Sequence, residues 1–337
     1  MKKKLLIFAG LLIIIIVALV LVKPKKERIE ESIAIRTPVS LQEPKIPKYI
    51  EAGTVIESNI NEPDFSFSKS LPVIQRSKGS PLGEEEAVSI ATNLGFTSQP
   101  IITKDVSEGT VYLWSRTNDN LVIYGRSRRI EYGLNQAPTN VINKQLSNDA
   151  LIKISEDFIF KKFLSPSEKF VFSFFTFLKS VGPPDGFYQS SKEEASIFQV
   201  NFSPIESDYK ILTLDPRSSP IYTWVLPDGT ISKAIVSKGI RASFSEKEYP
   251  LKNYREFSDS LEKAVLVSLD DGNILLSVLP KRDVQKITVG EIEIVYLIDS
   301  PDSEVIQPVF LLKGKAKVQG YQNEVSALLY LPAIRNP

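Results

Sequence analysis

Two residue types are missing from this 337-residue chain, which has no cysteine and no histidine. Without cysteine there is no disulfide framework, no thiolate nucleophile and no thiol for a lipid to modify. Zinc, copper, haem and iron–sulfur centres lose their customary ligands. Without histidine, Ser-His-Asp triads and imidazole general bases are excluded. Carboxylate chemistry, a Ser/Lys pair and oxygen-ligand metals such as calcium are what the composition leaves open. Neither sign of charge is in surplus: 41 Lys and Arg face 40 Asp and Glu, a formal net charge of +1. No basic stripe interleaved with aromatics runs along the chain, so no nucleic-acid partner is expected.

What is there suits a folded protein: 42% of residues are hydrophobic and 24% charged, and the length allows two or three domains. One long apolar run stands out. After Met1-Lys2-Lys3-Lys4 the chain carries no charge from Leu5 to Val22, and 15 of those 18 residues are Leu, Ile, Val or Phe. At about −0.4 kcal/mol each, insertion into a bilayer is favoured by roughly 6 kcal/mol. As a helix the run is about 27 Å long, close to the thickness of the hydrocarbon core. A cleaved signal peptide has a shorter core of about 7–15 residues and a small-x-small site. Here the run passes straight into Lys23-Pro24-Lys25-Lys26. The expectation is an uncleaved single-pass anchor over residues 1–22, contacting the membrane through Leu5 to Val22. The N-terminus would lie inside and the remainder would be extracytoplasmic at the cell membrane, although both flanks of the run are basic.

Residues 23–63 read as an extended linker, punctuated by Pro24, Pro38, Pro44, Pro47 and Pro63, with a short strand at Thr54 to Ile56. Three helix-first stretches follow. In residues 64–145 a helix runs from Glu84 to Leu94, with Ala87, Ile90, Ala91 and Leu94 on one face and Gly95 as its stop. Strands at Thr110 to Trp114 and Leu121 to Tyr124 flank a turn. In residues 146–245 a helix capped by Ser147 turns Leu151, Ile154, Phe158 and Phe163 inward. Strands follow at Phe170 to Phe177, Ser196 to Phe202, Ile221 to Val225 and Thr230 to Val236. In residues 246–337, Asn253 and Glu256 form a capping box before strands at Glu291 to Ile298, Val305 to Leu312 and Glu324 to Leu331. The fold class expected is α+β: an N-terminal transmembrane helix, then repeated helix-plus-antiparallel-sheet modules.

Short patterns within these modules support a resemblance. They are Pro220-Ile221-Tyr222-Thr223-Trp224-Val225 before Pro227-Asp228-Gly229-Thr230-Ile231, Tyr249-Pro250-Leu251 opening a helix, and Ile306-Gln307-Pro308-Val309-Phe310. In these the chain resembles the PepSY/YycI-like group of membrane-anchored extracytoplasmic proteins, over residues 65–334. It departs from that group in a third helix–sheet unit and in long irregular segments. The resemblance implies a non-enzymatic extracytoplasmic regulator or binding module that acts on a membrane partner or a protease.

Several motifs invite a chemical reading, and each has a plainer one. Ser260-Leu261-Glu262-Lys263 and Ser66-Phe67-Ser68-Lys69 have the Ser-x-x-Lys spacing of serine acyl enzymes, but no Lys-Thr-Gly strand accompanies either. Glu84-Glu85-Glu86 point around a helix axis and suit a solvated first turn. Asp270-Asp271-Gly272-Asn273 lacks the ligand spacing and closing Glu of a calcium loop. Lys78-Gly79-Ser80 and Gly83 make no phosphate loop. Arg126, Arg128 and Arg129 read as a solvated strand edge. Phe170, Phe172 and Phe174 are expected on one strand face and Phe175 and Phe177 on the other, forming core or leaving an apolar patch for a partner. No catalytic, cofactor-binding or metal-ligating residue is assigned, and no cofactor is expected.

The function expected is therefore a single-pass, extracytoplasmic binding or regulatory protein without enzymatic activity, acting on a protein or peptide partner at the cell envelope. Its rivals are an envelope hydrolase or acyl transferase using carboxylates or Ser260 and Lys263, and a structural subunit of an envelope assembly.

Overall fold

The structure is a computed structural model that describes residues 43–46, 54–77, 80–135, 146–164, 168–182, 186–216, 218–238, 241–270, 284–300 and 303–335. In chain order, β1 (Val55–Ser58) and β2 (Ser70–Ser77) precede α1 (Glu84–Asn93). A meander follows: β3 (Ile101–Asp105), β4 (Gly109–Ser115), β5 (Asp119–Tyr124) and β6 (Arg129–Leu134). After α2 (Asn148–Lys162) come β7 (Phe170–Gly182), β8 (Gly186–Gln189), β9 (Ile197–Glu206) and β10 (Tyr209–Thr213). Next are β11 (Ile221–Val225), β12 (Ile231–Ser237) and β13 (Arg241–Pro250). Finally α3 (Tyr254–Ser260) leads into β14 (Val265–Asp270), β15 (Val284–Ile298), β16 (Val305–Val318) and β17 (Val325–Pro332).

Local chemistry explains where the helices start and stop. Gly95 takes a φ of 85°, and the N–H groups of Phe96 and Gly95 bond Ala91 and Thr92 carbonyls at 2.9 Å. This is the Schellman ending that a glycine permits. The Ser147 hydroxyl accepts from the Ala150 N–H, and Asn253 and Glu256 cap each other reciprocally at the start of α3.

Strand pairing then builds two layers. The first is a nine-stranded antiparallel sheet in the order β3-β4-β5-β6-β12-β11-β9-β7-β8. Both α1 and α2 pack on one face of it. Ile90 and Leu151 from the helices meet Trp114, Ile123, Val200, Phe202 and Val225 from the strands. Within this core the buried Thr223 hydroxyl donates to Ser155 of α2 at 2.7 Å. The second layer pairs β15, β16, β17 and β14 antiparallel, while β1 and β10 lie parallel to opposite ends of β15. A β2–β13 ribbon continues from the start of β16. On this layer α3 covers an aromatic cluster in which Phe65, Phe257 and Phe310 have ring centroids 5.1–5.7 Å apart.

This is a correction to the expected fold class. The described residues are mostly β, with seventeen strands against three α-helices, and not a row of α+β modules behind a transmembrane helix. The physical reason is long-range pairing that a module-by-module reading misses. The pairing of β6 with β12 fuses two meanders into one sheet, and β10 leaves that sheet to pair with β15. Strands of 13, 15 and 14 residues (β7, β15, β16) then outweigh helices of 10, 15 and 7.

The membrane reading is corrected as well. The run Leu5 to Val22 lies outside the described residues, and among the described residues no helix is long and apolar enough to cross a membrane. The longest, α2, has 15 residues and so spans only about 22 Å, with six charged side chains along it. Among the described residues, therefore, the transmembrane, signal-anchor and single-pass assignments find no spanning helix. The extracytoplasmic localisation that rested on them falls with them.

A third correction concerns the phenylalanines of β7. A bulge at Ser173 breaks the register with β9, so that Phe172 faces Phe202 but Phe174 faces Asn201. The extra residue turns Phe170, Phe172, Phe175 and Phe177 together onto the helix side and sends Phe174 to the other face.

One close approach in the second layer is testable. A Cβ on Gly314 would run into the Thr288 carbonyl oxygen and lie 3.0 Å from the Val289 Cα, whereas a Cβ on Gly290 meets nothing within 4 Å. Gly314→Ala should cost about 2 kcal/mol of stability in urea unfolding, within the usual range for overpacking, with Gly290→Ala near neutral. Equal effects for the two would contradict this packing.

Candidate functional site

The two layers leave a cleft between them with a cavity volume of about 550 Å³, within the range that holds small ligands. Its floor is one face of the second layer. Period-two alternation delivers pairs of side chains from successive strands: Lys210 and Leu212 from β10, Leu311 and Lys313 from β16, Ser326 and Leu328 from β17, and Ser268 and Asp270 from β14. Glu293 of β15 lies among them. The roof is the helix-free face of the nine-stranded sheet, with Phe174, Thr176 and Leu178 of β7, Gln189 of β8 and Gln199 of β9. The Ser173 bulge is what aims Phe174 into this space.

The polar groups of the roof form a chain of amides. The Trp224 indole N–H donates to Gln199 Oε1 at 2.8 Å, and Gln199 Nε2 donates to Asn201 Oδ1 at 2.8 Å. Asn201, fully buried, donates onward to the Phe174 carbonyl at 3.2 Å and the Thr176 hydroxyl at 3.3 Å. Gln189 is the exception. Its Oε1 is buried without a hydrogen-bond partner, a condition that costs free energy until a donor arrives.

The charges of the floor neutralise one another. Lys210 Nζ lies 2.9 Å and Lys313 Nζ 3.3 Å from the Glu293 carboxylate, and Lys313 is 3.7 Å from Glu291. Burial works against ionisation of Glu293, but its hydrogen bond to Lys210 and the charges of both lysines outweigh that. The net effect holds its carboxyl below the usual range. A carboxylate fixed in this way serves as a counter-ion and is a poor proton donor. Leu212, Leu311, Leu328, Phe174 and Leu178 supply apolar walls. Together the groups can hold a ligand with an apolar side chain and hydrogen-bonding amides or hydroxyls.

The motifs singled out in the sequence fall elsewhere. The Ser260 hydroxyl is spent on the Glu256 and Phe257 carbonyls of its own helix, at 2.6 and 3.1 Å, while Lys263 is exposed. Ser66 and Lys69 are both exposed. Among the described residues no group of three or more acidic side chains could hold a metal ion. Of the Asp270-Asp271-Gly272-Asn273 stretch only Asp270 is described, and it lines the cleft.

The acidic and basic clusters need correcting. Glu84 and Glu85 are exposed, but Glu86 receives two hydrogen bonds from Arg128, at 2.7 and 2.9 Å. Arg128 is buried, has a φ of 55° and also donates to the Ser80 carbonyl. It is therefore an interior clamp between α1 and β6, and only Arg126 fits the solvated edge expected of the group. The sequence reading missed the cleft, because its lining comes from eight strands and no two of its key residues share a motif. The one available signal was the i, i+2 pairing of Leu311 with Lys313 and of Ser326 with Leu328.

No family model matches the chain, and no curated protein matches it. Among solved structures it is similar to an uncharacterized protein from Eubacterium rectale ATCC 33656. That similarity has 11% identity and a TM-score of 0.46, over 85% of this chain and 90% of the other. A likeness at that level carries no functional argument.

The depressed Glu293 carboxyl has a consequence for stability. A group whose folded pKa lies below its unfolded value, here about 4.5, contributes stability above that value and loses it as pH falls through the folded pKa. The unfolding free energy should fall as the solution is acidified below about pH 4.5. Glu293→Gln should reduce that slope; an unchanged acid limb in the variant would contradict the Lys210–Glu293–Lys313 arrangement.

Proposed function

We propose that this chain is a binding or regulatory protein without enzymatic activity, and that it holds a peptide segment of a protein partner in the cleft between its two sheets. The observation that carries the reading is the buried, unpartnered Gln189 Oε1 in a cleft with apolar walls. Peptide backbone supplies N–H donors for such an acceptor, and the leucines and Phe174 suit an apolar side chain. The ion network on the floor favours the same reading, because Glu293 is engaged by two lysines and the hydroxyls of the cleft have no histidine to activate them.

Titrating the full chain with a library of neutral peptides five to eight residues long, followed by the intrinsic tryptophan fluorescence change and calorimetry, tests the proposal. Gln189→Leu should weaken the selected peptide by roughly tenfold, the worth of about 1.4 kcal/mol. Leu328→Trp should abolish binding by filling the cleft without lowering the unfolding midpoint. Peptides that bind equally well to Leu328→Trp, or that are cleaved on incubation, would overturn it.

A further inference from the structure

The nine-stranded sheet ends on one side in β3, which pairs only with β4 among the described residues. All five of its residues are exposed. Ile101 and Ile102 are 68% and 49% exposed, and Val106, in the turn that follows, is 98% exposed. A bare edge with exposed aliphatic residues is a template for another strand.

The Thr110 carbonyl accepts from Gly125 and the Glu108 carbonyl from Arg126, at 2.8 and 2.9 Å. Thr110 therefore turns its main-chain groups toward β5 and away from β3. Its partner across the ladder is Lys104, and Tyr112 faces Ile102. In an antiparallel ladder the outward and inward residues alternate. Ile102 and Lys104 thus present free N–H and C=O groups at the open edge, while Ile101, Thr103 and Asp105 bond β4.

This edge is complementary to itself. About a twofold axis through Thr103, Ile102 of one copy meets Lys104 of a second, and each such pair exchanges two main-chain hydrogen bonds. Four bonds form, and Thr103 faces Thr103 of the second copy in the close, non-hydrogen-bonded spacing. Just beyond the ladder, exposed Val106 comes to Pro100 of the second copy, which has no N–H to leave unpaired. Asp105 does not intrude, because its carboxylate already accepts from the Ser107 and Glu108 amides at 2.8 and 2.9 Å. We propose that β3 is a homodimerisation edge, joining two copies of this chain into one continuous antiparallel sheet.

The absence of native cysteine makes the test direct. In the full chain, kept dispersed in mild detergent, Thr103→Cys places two thiols on Cα atoms about 4.5 Å apart across the axis, close enough for a disulfide. Mild oxidation should convert most of that variant to a covalent dimer. Ile101→Cys, whose twin lies about four registers away, should stay monomeric on denaturing gels. Lys104→Pro removes an outward N–H without touching β4 and should raise the dimer dissociation constant on the order of 10- to 100-fold in sedimentation equilibrium. Equal cross-linking of both cysteine variants, or no cross-linking of Thr103→Cys in a folded protein, would overturn the proposal. So would a monomeric wild type whose β3 amides are protected by a peptide strand instead.

Discussion

The two layers are sewn together by a two-residue turn. Ser207 and Asp208 take φ values of 43° and 75°, and Glu206 pairs across them with Tyr209. That left-handed pair is the twist a tight hairpin needs, and it lets one β-ribbon belong to both sheets. On one side β9 runs in the nine-stranded sheet; on the other β10 lies parallel to β15. Buried tyrosines hold β10 in place. The Tyr330 hydroxyl donates to the Thr213 carbonyl at 2.9 Å, and the Tyr209 ring meets Tyr296 at 5.7 Å. Burial raises the pKa of both Tyr296 and Tyr330, so these hydroxyls stay neutral donors to a higher pH than a free tyrosine.

From this constraint the cleft follows. The roof and the floor are opposite branches of the ribbon, so residues as far apart in sequence as Phe174 and Leu328 come to line one cavity. The polar atoms on the roof are nearly all satisfied by one another, through the Trp224–Gln199–Asn201 chain. The charges on the floor are satisfied by Glu293 and its two lysines. Among the described residues of the cleft, Gln189 Oε1 is the buried side-chain acceptor without a partner, and on the proposed reading it marks where a ligand donor would gain most. On that reading, recognition would combine apolar contact from five side chains with one demanding hydrogen bond.

Much of the local structure was legible in the sequence. Gly95 ends α1 because only a left-handed residue fits there, Ser147 caps α2, and Asn253 with Glu256 starts α3. These signals act within four residues, where spacing and chemistry decide the outcome. The global arrangement was not legible in the same way. The β6–β12 and β10–β15 pairings join segments separated by roughly 100 and 80 residues, and no local pattern encodes a partner strand. The Ser173 bulge reversed the faces of the β7 phenylalanines because an inserted residue leaves no mark in composition. Ser207-Asp208 lacks the glycine that advertises a tight hairpin. Arg128 sits in a run of arginines that reads as solvated, although its guanidinium is buried against Glu86. The cleft inherits all of these difficulties, since it exists only where the two layers meet.

Hydrogen–deuterium exchange on the full chain, with and without a saturating peptide ligand, tests the central claim most directly. The account predicts added protection in β7, β8 and β10 and at the ends of β14 and β17 that line the cleft, with α1 and β4 unchanged. Protection confined to the other faces of the two sheets, or spread evenly over the chain, would contradict it.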